Sequence, residues 1–359
     1  MNEKKHNGIV GLWKFIFSVV VVLFHTNNFY KVPTDNPLFR YGYIAVEFFF
    51  LISGYYFAKA ALKGEYSKEE IGNETVSFIG KKFMKLFPYV LLSYIVAIVY
   101  MLKFTRPLTT DTLANSIWNL FLVKEFGFRG PPTLAPIWYL TGMLASMFVL
   151  YPIVKKHKTN YIKLIAPIIV LVGFGYLSNV KVGLDFSNRD WLFYSRSGMA
   201  RAFIEINLGM ILYIISDALK NIEYRKFFKA LLTIGQHALL IMVLYVTTFI
   251  KKSPSYDYVM LLMIAISVLI MTSGKTYDYK LLSNKFVAFL EDLSLPIFIC
   301  QFGINQLFAF SILQDMNPTH RALINLGVII LLALIELIIV KVYKKMGINK
   351  KLLKLAIKE

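Results

Sequence analysis

The sequence predicts an all-α, polytopic membrane protein of about ten transmembrane helices with both termini cytoplasmic. Three observations carry this. Of 359 residues, 57% are hydrophobic and only 17% charged, with a mean hydropathy of +0.57, which is too apolar for a soluble chain of this length. Apolar windows of about 17 to 23 residues, each long enough to cross roughly 30 Å of hydrocarbon, recur along the chain. The basic residues of a chain with net charge +19 concentrate in alternate loops, as the positive-inside rule requires. Two soluble domains would need polar faces on most helices, and the long runs of Leu, Ile, Val and Phe leave no room for them. With the charge so placed, no nucleic-acid partner is expected; the partner is the lipid bilayer.

The spans are placed near 8–28, 41–62, 83–103, 137–154, 162–179, 201–216, 228–250, 257–273, 292–313 and 322–343. The first follows MNEKKHN and exceeds a signal-peptide core, with no small-residue cleavage site after His25, so it is expected to be retained. On the inner side fall Lys4 and Lys5; Lys63, Lys68, Lys81 and Lys82; Lys155, Lys156 and Lys158; Lys220, Arg225 and Lys226; Lys275, Lys280 and Lys285; and the tail with Lys344, Lys345, Lys350, Lys351, Lys354 and Lys358. The outer segments carry fewer, among them Lys31, Arg40, Arg106, Arg129, Arg189, Arg196 and Arg321. Between the third and fourth spans, DTLANSIWNLFLV predicts a short interfacial or re-entrant helix, followed by the Pro-rich approach GFRGPPTLAP. There is no repeat and no low-complexity tract, so residues 1–359 are expected to form a single integral membrane domain without an appended soluble one. The single cysteine, Cys300, excludes a disulfide framework and a Cys-based metal site.

The chemistry is expected within the membrane. In the first span, Lys14 and His25 are eleven residues apart, about three turns and roughly 16 Å, so they share a helical face with Ser18 between them. An ammonium and an imidazole on one stripe of a spanning helix point to a polar path beside it, although each could also snorkel to its own headgroup region. Glu47, inside the Phe-rich run AVEFFFLISG of the second span, is expected at the depth of His25, where a carboxylate would orient an imidazole acting as a base. Trp138 and Tyr139 open the fourth span and would either stack a sugar face or anchor the interface. Arg201 and Glu205, four apart, fit an internal ion pair or a substrate contact. Gln236, His237, Gln301 and Asn305 are expected to bond between helices, and Glu336 to meet a polar neighbour. No metal-ligand spacing is present.

These residues carry a resemblance. Lys14 with ten residues before His25, AVEFFFLISGYYFA in the second span and KKFMKLFPY opening the third are similar to integral membrane acyltransferase family 3. IWYLTGMLASMFVLYP, RAFIEINLGMIL and LSLPIFICQ follow in the family's order. Glu47 stands where the family usually has Asp, Lys81, Lys82 and Lys85 where it has arginines, and Gln301 where a His is common. The resemblance implies an acyl-CoA-dependent O-acetyltransferase of the bacterial cell envelope, multi-pass in the cell membrane. It would have no permanently bound cofactor and would use acetyl-CoA as co-substrate. Its acceptor would be a hydroxyl of a cell-surface polysaccharide or of a lipid-linked sugar precursor. It implies His25 as general base or nucleophile, Glu47 as its orienting partner, and Lys14, Lys81, Lys82 and Lys85 as a rim for the acyl-CoA phosphates, with Trp138, Tyr139 and Arg201 toward the acceptor. A pantetheine arm would run along the Lys14, Ser18, His25 stripe. The competing class is a transporter or flippase of lipid-linked sugars, which shares the hydropathy but usually shows two matching halves; no such symmetry is visible here. A non-catalytic scaffold would have no need of His25.

Overall fold

The computed structural model describes residues 7–30, 39–104, 109–131, 134, 137–180, 183–185, 191–192, 195–250, 255–309 and 316–346. Outside these residues lie Lys4, Lys5, Lys31, Arg106, Arg189, the tail lysines from Lys350 onward, part of GFRGPPTLAP, and the expected end of the ninth span at 310–313.

Twelve α-helices occur among the described residues: α1 Gly8–Tyr30, α2 Ala45–Ala61, α3 Ile71–Phe104, α4 Thr110–Leu120, α5 Trp138–Asn160, α6 Ala166–Val180, α7 Ser197–Leu219, α8 Lys226–Phe249, α9 Tyr256–Ser273, α10 Asp278–Leu282, α11 Lys285–Ala309 and α12 Pro318–Lys345. The only strands among them, β1 Trp191–Leu192 and β2 Ser195–Arg196, form one two-residue ladder. Among the described residues, nine helical runs are long and apolar enough to cross a membrane. One of them, Trp138–Val180, is 43 residues long, which at 1.5 Å per residue is about twice the hydrocarbon thickness. It is broken at Lys158, whose φ of 52° and ψ of −136° are not helical, and it passes through a π-helical turn, Tyr161–Ile165. The fourth and fifth expected spans are the two sides of this break. The protein is thus an all-α polytopic membrane protein, as its composition requires.

Two helices differ from their expected bounds for one physical reason. α3 starts at Ile71 and α11 at Lys285, well before the apolar windows begin. Hydropathy marks where hydrocarbon starts, whereas a helix continues until a breaker or an alternative partner for its backbone stops it. Lys81, Lys82 and Lys85 therefore sit inside a long helix rather than at its start. The short helix expected in DTLANSIWNLFLV is α4, capped by the Thr109 side chain, which accepts from the Thr112 N–H at 3.1 Å.

The helices pack around one apolar core to which α1, α2, α5, α7, α9 and α11 all contribute. α1 packs most extensively on α11, and α2 on α7. The α2–α7 crossing is close because glycine faces glycine. A Cβ on Gly54 would stand 2.9 Å from the Gly209 Cα and well inside contact of the Ile206 carbonyl oxygen, and one on Gly209 would strike the Leu51 carbonyl. Close approach through small residues is how helices gain contact in lipid, where no hydrophobic force drives them together. Gly54→Leu is expected to separate α2 from α7 and lower the melting temperature in detergent by several degrees, an overpacking cost of about 1–3 kcal/mol; an unchanged melting temperature would refute the close crossing.

The start of α1 is fastened by polar contacts that skip most of the chain. Trp13 Nε1–H donates to His237 Nδ1 at 3.0 Å, which leaves the proton on Nε2 to face Asp278 at 2.5 Å. Gln236 donates to the same carboxylate at 2.8 Å. Burial acts upward on the Asp278 carboxyl, but the hydrogen bonds from His237 and Gln236 hold it below the ordinary carboxylate value. Gln236 and His237 thus bond between segments, as their sequence suggested. Asn305 also does, accepting from Asn325 Nδ2 at 2.5 Å. Gln301 does not: its amide donates to the Phe298 carbonyl of its own helix. Glu336 meets Ser93, which donates to it at 3.0 Å.

Candidate active site

α1 is continuous from Gly8 to Tyr30, so Lys14 and His25 stand on one uninterrupted helix about 16 Å apart along its axis. The two ends of this stripe differ. Lys14 Nζ donates to Glu291 Oε1 at 2.7 Å and stands 5.7 Å from the centre of the Tyr56 ring. Both side chains of the pair keep about a quarter of their surface exposed, 23% and 25%, so the bridge is accessible to solvent and to ligands. His25 is half-buried beside Phe24, whose ring centre is 5.0 Å away. Neither of its ring nitrogens has a hydrogen-bond partner among the described residues. An imidazole with an uncommitted ring nitrogen can take a proton from a hydroxyl brought within hydrogen-bond reach.

Between these ends the stripe is closed. Ser18 and Val21 are 0% and 1% exposed, and the Ser18 hydroxyl is spent on the Lys14 carbonyl at 2.8 Å. The continuous groove expected along Lys14, Ser18 and His25 is therefore filled by packing in this conformation.

The expected pairing of Glu47 with His25 is not found, and the antiparallel register explains why. Phe24 meets Tyr43 at 5.7 Å and Phe17 meets Phe48 at 5.0 Å. Glu47 therefore lies level with residues 18–20 of α1, about six residues or roughly 9 Å along the axis from His25. Its Oε1 accepts instead from Arg201, and its Oε2 has no partner among the described residues. Arg201 also donates to Glu205 Oε1 at 2.8 Å and to the Leu184 carbonyl at 2.9 Å. All three charged groups are buried, Arg201 at 1% and both glutamates at 0% exposure. One guanidinium thus binds two carboxylates from α2 and α7 and a loop carbonyl in the low-dielectric core, the forked geometry that Arg supplies and Lys does not.

The proposed acceptor residues are redistributed. Arg201 is directed inward, so it offers no open face to a sugar. Tyr139 is 7% exposed, its hydroxyl lies 2.9 Å from Ser53 Oγ, and its ring packs 4.5 Å from Phe50 and 5.6 Å from Phe298. It is part of the core rather than of an outer aromatic belt. Trp138 is half-buried, with the Arg201 guanidinium 5.6 Å from its ring and Phe50 at 5.8 Å. The helix direction from 138 inward brings both aromatics onto the α2–α7 crossing, a relation that no local sequence pattern contains.

The lysines expected to form a rim lie together. Lys81 and Lys85 are exposed and Lys82 half-buried, its ammonium 5.2 Å from the Phe78 ring centre. Lys82 lies within electrostatic reach of both Lys85 and Lys14, so α1 and α3 bring three cations to one end of the bundle. Glu291, the partner of Lys14, was invisible as such in the sequence, where it reads as an interfacial acid at the start of a span. Next to His25, Thr26 is 0% exposed and joins Asn305 and Asn325, also 0%, in a buried polar trio.

The chain matches the family model described as an acyltransferase domain over residues 8–340. No curated protein and no solved structure matches it. That match runs from the first residue of α1 to within a turn or so of the end of α12, taking in both ends of the Lys14 to His25 stripe, the buried Arg201 centre and the lysines of α3; the chain belongs to acyltransferase family 3 and is a multi-pass membrane acyltransferase.

Proposed function

We propose that the protein is an O-acetyltransferase that moves an acetyl group from acetyl-CoA to a hydroxyl of a cell-surface polysaccharide or its lipid-linked precursor. The observation that carries this reading is the half-buried imidazole of His25, without a hydrogen-bond partner among the described residues, on the same helix as Lys14, in a chain of this family. Acetyl-CoA arrives from the cytoplasm, its phosphates drawn to Lys14, Lys81, Lys82 and Lys85, and both chain termini lie on that side. His25 takes the proton of the acceptor hydroxyl as the oxygen attacks the thioester carbonyl. The C–S bond breaks, and the departing thiolate of CoA receives the proton from the imidazolium. Glu47 acts at a distance, by holding α2 against Arg201 of α7 beside the first helix, rather than by touching the base. Since Ser18 and Val21 close the stripe between the two ends, the acyl chain reaches His25 only when that face of α1 opens. Residues 1–359 act as one domain in this scheme, with no permanently bound cofactor and the bilayer and the acceptor glycan as partners.

Membranes containing the protein, incubated with acetyl-labelled acetyl-CoA, are expected to transfer label to a glycan or glycolipid fraction, and control membranes are not. Movement of a lipid-linked sugar across vesicles without consumption of acetyl-CoA would favour a flippase and overturn the reading.

A further inference from the structure

A cavity of about 350 Å³ opens at the end of the bundle where α1 begins, with Asn7, Tyr55, Tyr56, Lys59, Lys220 and Lys275 on its walls. Its volume falls in the range of small-molecule sites, about 300–1,000 Å³. Four segments that are distant in sequence build it: the start of α1 and the ends of α2, α7 and α9. Three of its residues are cations. Lys220 is the one with a carboxylate, its ammonium lying 3.1 Å from Asp217 on the exposed surface. Among the described residues, neither Lys59 nor Lys275 has an ion pair or a side-chain hydrogen bond, and Lys59 is repelled by Lys220 and Lys63, which the weaker attraction of Asp217 offsets only in part.

A lysine in the last turn of α2 and one just past the ends of α7 and of α9 favourably oppose three helix dipoles, and that accounts for one cation at each end. It does not account for their convergence on a shared cavity, where Lys59 and Lys220 lie within repulsive reach of each other. The other polar groups of the wall are already committed: the Asn7 amide donates to the Met271 carbonyl at 2.9 Å, and the Tyr55 hydroxyl to the Thr272 carbonyl at 3.4 Å. The free capacity of the cavity is therefore cationic, and a compact polyanion with several acceptor oxygens is what would satisfy it. The Tyr56 ring both lines the cavity and faces Lys14, so the cavity borders the donor end of α1 but is built from lysines other than those of α3.

We propose that this cavity is a phosphate-binding site, held by Lys59, Lys220 and Lys275, that takes either the headgroup of an anionic phospholipid or a soluble phosphate. Occupation would tie α2, α7 and α9 together beside Lys14. The assignment stands independently of the acyl acceptor and of the role of His25.

The full-length protein is purified in a zwitterionic detergent and, separately, placed in phosphatidylcholine nanodiscs with and without phosphatidic acid. Inorganic pyrophosphate serves as the soluble probe, and the melting temperature is read against probe concentration. Wild type is expected to be stabilised by pyrophosphate, by phosphatidic acid or by both, with an effect that weakens as salt rises. The variant Lys59→Gln/Lys220→Gln/Lys275→Gln is expected to show roughly a tenfold or greater loss of apparent affinity, which is the effect of about one charge-assisted contact. If the triple variant does not fold, Lys59→Gln alone, at an exposed position, is expected to weaken the response in the same direction. Stabilisation by pyrophosphate in detergent assigns a soluble phosphate, and stabilisation by phosphatidic acid alone assigns a lipid headgroup. No response of wild type to either probe, or an equal response in wild type and both variants, overturns the site and leaves the lysines as helix-end charges.

Discussion

Arg201→Met is expected to be the most damaging single substitution in the protein, costing about 3–5 kcal/mol, because it strands buried carboxylates without their cation. The side chain is 1% exposed and holds Glu47 of α2, Glu205 of its own helix and the Leu184 carbonyl. Methionine fills much of the same volume, so the loss measures charge and hydrogen bonding rather than a cavity. The measurement is the monodisperse yield and melting temperature in detergent. The triple change Arg201→Met/Glu47→Gln/Glu205→Gln is expected to recover much of the loss, since replacing a whole buried ionic group by neutral residues is often tolerated where removal of one partner is not. A single Arg201→Met protein as stable as wild type would contradict the triad as the fastening of α2 to α7.

His25→Ala is expected to lower the rate of acetyl transfer about 10²–10⁴-fold, the usual contribution of a positioned general base, while leaving insertion and melting temperature nearly unchanged. The contrast with Arg201 follows from the surroundings. His25 is half-buried and makes no side-chain hydrogen bond among the described residues, so its removal strands no partner. Initial rates with labelled acetyl-CoA, normalised to protein in the membrane, provide the measurement. Partial recovery of the rate by added imidazole would separate a lost base from a distorted fold. A His25→Ala protein that transfers at the wild-type rate would remove the histidine from the mechanism.

The apolar windows placed each span, because a helix crossing hydrocarbon must be apolar over its whole crossing length and this demand is written locally. The short helix α4 was legible too, in the segment DTLANSIWNLFLV. The break at Lys158 could be inferred only as a junction of two windows; its positive φ is seen only in the structure. Lys14 and His25 were legible as well, since their spacing on one helix is fixed by helical geometry alone. Their partners were not. Glu47 was assigned to His25 on charge and approximate depth, yet an offset of about six residues between two antiparallel helices sends it to Arg201. That offset depends on where Gly54 of α2 meets Gly209 of α7 and where Phe17 meets Phe48, which are contacts between distant segments. Class, spans and the residues on each helical face therefore follow from local sequence. Which buried charges meet follows from the packed bundle, because register between helices is set by close packing and polar pairing across it rather than by any periodicity within one chain segment.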